Sequence, residues 1–212
     1  MSPELRVAVA VLLAPLLAAA PARAQQVEVS AGAVAVTNSE VDSIRQARGL
    51  GIAAGARLDR GRFRFEVRGL TASLSADFSV QRDYAVHQLG AMASYAWGPG
   101  LRAVAGIERR FVSPDFAAQD VGLVRLGILS ETRLSSLALI EARADYFPIA
   151  RFTGGGGAGF SLGLGIGARV GSATGRLHGV IEYSYERIDR QVNDAPSPIK
   201  FSVARVGLGA RL

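Results

Sequence analysis

Chemistry in this chain would have to start from two histidines, His87 and His178, because the sequence holds no cysteine. That absence excludes disulfide frameworks, thiolate nucleophiles and Cys-ligated zinc. His178 stands near Glu182 and Glu186, a grouping that could supply general acid–base groups to a hydrolase. Asp77, Asp83, Asp115 and Asp120 fall in or near polar connecting segments, but they form no paired-Asp and His–Asp arrangement. Gly154 to Gly157 lacks the Lys-Ser/Thr ending of a phosphate-binding loop and no helix pattern follows it. Asp189, Asn193 and Asp194 do not have calcium-loop spacing. These residues read as spare polar positions. The sequence predicts no enzyme, no catalytic residue, no cofactor and no metal site.

Charge is the more unusual property. The chain carries a formal +6, and Lys200 is its only lysine among 24 basic residues. The arginines are spread along the chain and interleaved with Glu and Asp, whereas nucleic-acid binding needs them clustered. What they do depends on the elements that hold them.

The first 24 residues read as a secretory signal peptide. Arg6 supplies a positive start, Val7 to Ala20 is apolar apart from Pro15, and Ala22-Arg23-Ala24 fits a cleavage site. The apolar run, about fourteen residues, falls short of the ~20 that a spanning helix needs. Without cysteine no lipid-anchoring site exists. The mature part is then 25–212, one domain, in which no run approaches 18 apolar residues. Any membrane crossing must therefore be made by a closed barrel.

Beyond residue 25 the hydrophobic period is two. Phe160, Leu162, Leu164, Ile166, Ala168 and Val170 alternate with Ser161, Gly163, Gly165, Gly167 and Arg169. The same alternation recurs in about ten segments, near 26–36, 46–58, 62–74, 84–97, 101–112, 120–130, 136–148, 158–170, 175–188 and 200–212. The fold class is all-β, an up-and-down antiparallel transmembrane barrel of about ten strands, with eight the other count. The pattern slips phase in 69–74 and 84–89, as it would at a bulge. Short turns at 59–61, 98–100, 131–135 and 171–174 alternate with longer polar connections at 37–45, 75–83, 113–119, 149–157 and 189–199.

With the apolar face outward, a charge network must fill the lumen. It comprises Arg57, Arg64, Glu66, Arg68, Arg102, Glu108, Arg110, Glu141, Arg143, Asp145, Arg169, Arg176, Glu182, Glu186 and Arg205, with Arg62 and Arg125 on the same face. Confined charges require partners, and Arg suits bidentate contact with carboxylates. Tyr95, Trp97, Phe111, Tyr146, Phe160, Tyr183 and Tyr185 gather near strand ends as an aromatic girdle, with Phe147 and Phe201 beside them.

At its C-terminus, Arg205-Val206-Gly207-Leu208-Gly209-Ala210-Arg211-Leu212, the chain resembles the small bacterial outer-membrane β-barrel superfamily, including the transmembrane barrel of outer membrane protein A. Arg205, Gly207, Ala210 and Leu212 match the closing-strand pattern, with Leu212 where Phe is usual. The resemblance implies that the barrel assembly machinery reads this strand, with periplasmic chaperones assisting. It covers architecture only. Barrel deacylases pair a His with a Ser two residues on, but Leu89 and Val180 stand at those places here.

The expected function is a structural or surface-interaction scaffold in the Gram-negative cell outer membrane, with a salt-bridged lumen. Its expected partners are outer-membrane lipid and lipopolysaccharide, not nucleic acid. A porin-like alternative is a narrow passive pore for small solutes with anion preference. A second alternative is a soluble periplasmic β-barrel binding protein.

Overall fold

The computed structural model describes residues 25–40, 45–77, 82–112, 118–172, 175–192 and 195–212. The expected signal peptide lies outside these residues, as do Asp115, Asn193 and Asp194. The strands are β1 (Gln25–Glu40), β2 (Arg45–Arg60), β3 (Phe63–Ala76), β4 (Tyr84–Gly98), β5 (Leu101–Val112), β6 (Val121–Arg133), β7 (Ala138–Phe152), β8 (Gly157–Val170), β9 (Leu177–Val192), β10 (Ala195–Pro196) and β11 (Ile199–Arg211). Successive long strands pair antiparallel, and β11 pairs with both β9 and β1, so the sheet closes on itself. The two-residue β10 only extends the tip of β9. The barrel wall therefore has ten strands. Among the described residues no helix is long and apolar enough to cross a membrane.

The predicted strands are all present, and most reach further than the alternation suggested. β1 runs to Glu40, β7 to Phe152 and β9 to Val192, into segments expected to be loops. The reason is a change of polarity along the strands. In the half nearer the short turns, large apolar side chains face outward; Leu208 is 67% exposed and Ile166 57%. Nearer the long connections many large apolar side chains turn inward, although Leu50, Phe111 and Phe160 stay outside. Thus Val34, Val36, Leu74, Tyr84, Val86 and Phe201 form one buried cluster, and Val121, Leu123, Phe147, Phe152, Ile188 and Ile199 a second.

β3 shows the switch within one strand. Phe63, Phe65 and Val67 point out below, whereas Leu70, Ala72 and Leu74 point in above, leaving Thr71, Ser73 and Ser75 outside. This corrects the expected bulge at 69–74 and 84–89. The β3–β4 register is unbroken from Phe63 opposite Tyr95 to Leu74 opposite Tyr84. What slips phase is polarity, not pairing.

Bulges occur elsewhere. Between the pairs Val124–Ile149 and Leu126–Tyr146, one residue of β6 faces Phe147 and Pro148 of β7. Pro148 has no N–H to give a ladder, which suits this position. The extra residue re-aims β7, so that Ala150 and Phe152 join Phe147 in the interior. Other irregularities lie at Ala96/Gly98 and Ala158/Ser161. The tight turns use glycine where a positive φ is needed, at Gly61 (60°) and at Gly100 (69°) after Pro99.

On most strands four to six consecutive outward positions are apolar, for example Leu58, Ala56, Ala54, Ile52 and Leu50 on β2. Five such positions cover about nine residues, roughly the height of the ~25 Å apolar band of an outer-membrane barrel once tilted. Above the band the exterior turns polar. Replacing Ile166, near mid-band, with Arg is expected to cost about 2–4 kcal/mol, and Ser75→Arg, in the row of Arg48, at most about 1 kcal/mol. Urea unfolding of the protein refolded in liposomes measures both. Equal costs would contradict this placement of the band.

Candidate functional site

The lumen in the lower part of the barrel is a lattice of arginines and carboxylates. Its base is organised by Arg57, whose Nη2 lies 3.1 Å from Glu28 Oε1 and whose Nη1 lies 3.2 Å from Glu141 Oε1. Arg64 bridges Asp59 at 2.6 Å and Glu131 at 2.7 Å. Arg169 joins Glu28 at 3.4 Å to Glu141 at 3.0 Å. Arg102 donates to Ser94 Oγ at 3.0 Å and to the Arg62 carbonyl at 3.1 Å. Higher up, Arg68 pairs with Glu66, and Arg205 with Glu182 at 3.2 Å and Ser30 Oγ at 2.9 Å.

The top layer centres on Arg125, which reaches Asp145 at 2.6 Å, Glu108 at 2.7 Å and Glu186 at 2.7 Å. Arg110 pairs with Glu108 at 3.3 Å and with Glu186, and Arg143 with Asp145 at 2.8 Å. Two cation–π contacts tie this layer to the apolar plug above. Arg110 Cζ lies 3.7 Å from the centre of the Phe201 ring, and Arg125 Cζ 5.0 Å from that of Phe147.

The strands leave room for this filling. The β8 glycines Gly163, Gly165 and Gly167 face inward, and a Cβ on Gly163 would stand 3.0 Å from the Phe147 ring. A cavity of about 140 Å³ remains within the lattice, lined by Arg57, Arg68, Glu141 and Glu182 as well as by Gln88 and Met92. It has room for roughly ten waters. At the outer mouth a polar cap covers the plug. Glu40 accepts from Gln119 Nε2 at 2.7 Å and from Ser197 Oγ at 3.1 Å, and Asn38 donates to the Tyr84 hydroxyl at 2.9 Å. Arg190 reaches the Gly155 carbonyl at 2.9 Å.

Fourteen of the fifteen residues expected in the lumen network face inward: Arg57, Arg64, Glu66, Arg68, Arg102, Glu108, Arg110, Glu141, Arg143, Asp145, Arg169, Glu182, Glu186 and Arg205. Arg176 does not. It is exposed in the turn before β9, one residue short of the alternation. Arg62 is likewise exposed in the β2–β3 turn, where it donates to the Tyr95 hydroxyl at 3.2 Å. The sequence reading passed over Glu28, Asp59 and Glu131, although each is in phase with its inward neighbours.

The girdle residues Tyr95, Trp97, Phe111, Tyr146, Phe160, Tyr183 and Tyr185 all point outward. Tyr95 packs on Phe63 at 5.2 Å, and Tyr146 on Phe160 at 5.6 Å. Phe147 and Phe201 correct the expectation: each is 2% exposed and belongs to the interior plug. In the closing strand Arg205 points inward, Gly207 lies opposite Gly32 of β1, and Ala210 and Leu212 face outward.

The two histidines stand apart. His178 is buried near the short-turn end, with Nε2 3.3 Å from Glu28 Oε1, and its ring lies over Gly209. His87 is on the outer surface, its Nδ1 2.9 Å from Thr71 Oγ1. Among the described residues no group of His, Asp and Glu has metal-site geometry. Removing Arg125 would leave Glu108, Asp145 and Glu186 short of a partner. Arg125→Ala is expected to lose about 3–5 kcal/mol of stability, against less than about 0.5 kcal/mol for exposed Arg176→Ala. The readout is the urea midpoint in detergent micelles, and similar midpoints for the two variants would refute the lattice's structural weight.

No family profile matches the sequence, and no curated protein does. Solved structures do. The chain is similar to the outer membrane protease OmpT from Escherichia coli, with 10% identity over 89% of this chain and 96% of that one, at a TM-score of 0.58. It is also similar to Neisserial surface protein A, at 15% identity, 90% and 100% coverage and a TM-score of 0.44. A third is Ail, the attachment invasion locus protein of Yersinia pestis, at 14% identity, 90% and 100% coverage and a TM-score of 0.41. The first of these carries the fold: the chain is a closed, ten-stranded antiparallel β-barrel, the architecture of outer-membrane barrels.

Proposed function

We propose that this barrel is a closed, non-catalytic scaffold that carries its long connections at the cell surface for interaction. The observation behind this reading is the blocked lumen. Val86 and Ile188 point into the barrel and are 0% exposed, so no water-filled passage touches them. Below them the ion-pair lattice crosses the lumen around a cavity of about 140 Å³, and above them the Glu40 cap ties β1 to segments before β6 and β11. A rigid wall with variable connections is a common way to present binding residues.

The lattice also argues against anion selectivity. Among the described residues, the nine arginines 57, 64, 68, 102, 110, 125, 143, 169 and 205 meet nine carboxylates: Glu28, Asp59, Glu66, Glu108, Glu131, Glu141, Asp145, Glu182 and Glu186. A balanced lattice provides no net field to draw anions through.

The non-enzyme reading rests on the two histidines. One faces the periplasmic end of the lumen and the other the barrel exterior, so they cannot share a substrate. OmpT is a protease, and at 10% identity its activity is not transferred to this chain. The role of β11 as the strand read by the assembly machinery belongs to the same proposal.

Planar-bilayer recording of the refolded mature chain tests the closed lumen. The expected trace is silent. Discrete, reproducible channel openings would overturn the scaffold reading in favour of a narrow pore.

A further inference from the structure

We propose that Arg109 and Arg151 form a site on the barrel's outer wall for the phosphate group of an outer-leaflet glycolipid. The two arginines point outward on β5 and β7, with Gly122 of β6 between them in the same register row. Gly122 has no side chain to separate them, and Arg109 uses the gap. Its Nη1 stands 3.4 Å from where a Gly122 Cβ would be, and its Nη2 donates to Thr153 Oγ1 on the β7 side at 3.3 Å. The Arg109 guanidinium thus leans across β6 toward the strand that carries Arg151, with Phe111 5.3 Å from its Cζ.

Height selects the ligand. Directly below this row the outward positions are Ile107, Val124 and Ile149, the top of the apolar band. Gln25, Arg211 and the short turns lie at the opposite end, so this edge is the outer leaflet boundary. Two other cations along this edge are already paired: Arg48 lies 3.8 Å from Asp77, and Arg187 2.8 Å from Asp189. Among the described residues, neither Arg109 nor Arg151 has a carboxylate within salt-bridge distance. Two exposed guanidiniums without a counter-charge, at headgroup height and over a lipid-facing surface, match a phosphate attached to acyl chains. The site sits on the outside of the wall and does not depend on the closed-lumen reading.

The test is native mass spectrometry of the refolded mature chain released from micelles containing lipid A, using the intact and the fully dephosphorylated lipid as probes. The wild type is expected to retain one intact lipid A, and about tenfold less of the dephosphorylated form. R109Q/R151Q should lose about tenfold in retention of the intact lipid, with R151Q alone intermediate, while heat-modifiable gel mobility shows that each variant is folded. R60Q/R133Q, which removes two exposed arginines at the opposite rim, should retain lipid A like the wild type. Undiminished retention by R109Q/R151Q, or an equal loss in R60Q/R133Q, would overturn the site. Displacement of lipid A by inorganic phosphate would overturn the lipid assignment in favour of a free-anion site.

Discussion

A guanidinium removed from water must find carboxylate oxygens, and much of this barrel's interior is arranged to meet that demand. The partners come from distant parts of the chain. Arg57 and Glu141 are 84 residues apart, and Arg169 and Glu28 are 141 apart. Such bonds cross the lumen and hold opposite walls at a fixed spacing. The inward glycines of β8 follow from the same demand, because a side chain at Gly163 would press on the ring of Phe147, on which Arg125 stacks. The desolvation cost of so many charges is offset only while each layer stays complete.

Above the lattice the same wall obeys a different solvent. Where lipid ends, the outward face becomes Arg48, Ser75, Arg109, Arg151, Arg187 and Lys200, and the inward face takes over the apolar residues. The lower half is polar inside and apolar outside. The upper half has the order of a water-soluble protein, with a packed core. Arg110 and Arg125 stack on Phe201 and Phe147 at the junction and join the two regimes without a gap.

The period-two pattern in the sequence was enough to find the ten long strands, the direction of the apolar band and nearly all of the lumen charges. It failed where a local rule met a long-range one. Leu70, Ala72 and Leu74 looked like a slipped register because one face was assumed to stay apolar along the whole strand; the change of surroundings with height was not visible locally. Phe147 and Phe201 looked like girdle aromatics for the same reason. Arg62 and Arg176 obey the alternation numerically but sit in turns, where alternation has no meaning. Neither the pairing partners within the lattice nor the meeting of Arg109 and Arg151 across Gly122 could be read, since both depend on strands brought together only by closure and register.

The β1–β11 seam has a kinetic consequence. It joins the first and the last long strand over an unbroken register from Glu28 opposite Arg211 to Glu40 opposite Ile199. The plug is shared across it, with Val34 and Val36 on one side and Phe201 on the other. Neither terminal strand can fray alone, because peeling one bares a ladder of amides to hydrocarbon and halves the plug at once. Contacts of such long range form late and break late. The molecule should therefore persist by the height of its unfolding barrier, with a lifetime set by one concerted seam-opening event and not by the small free-energy difference between its folded and unfolded states.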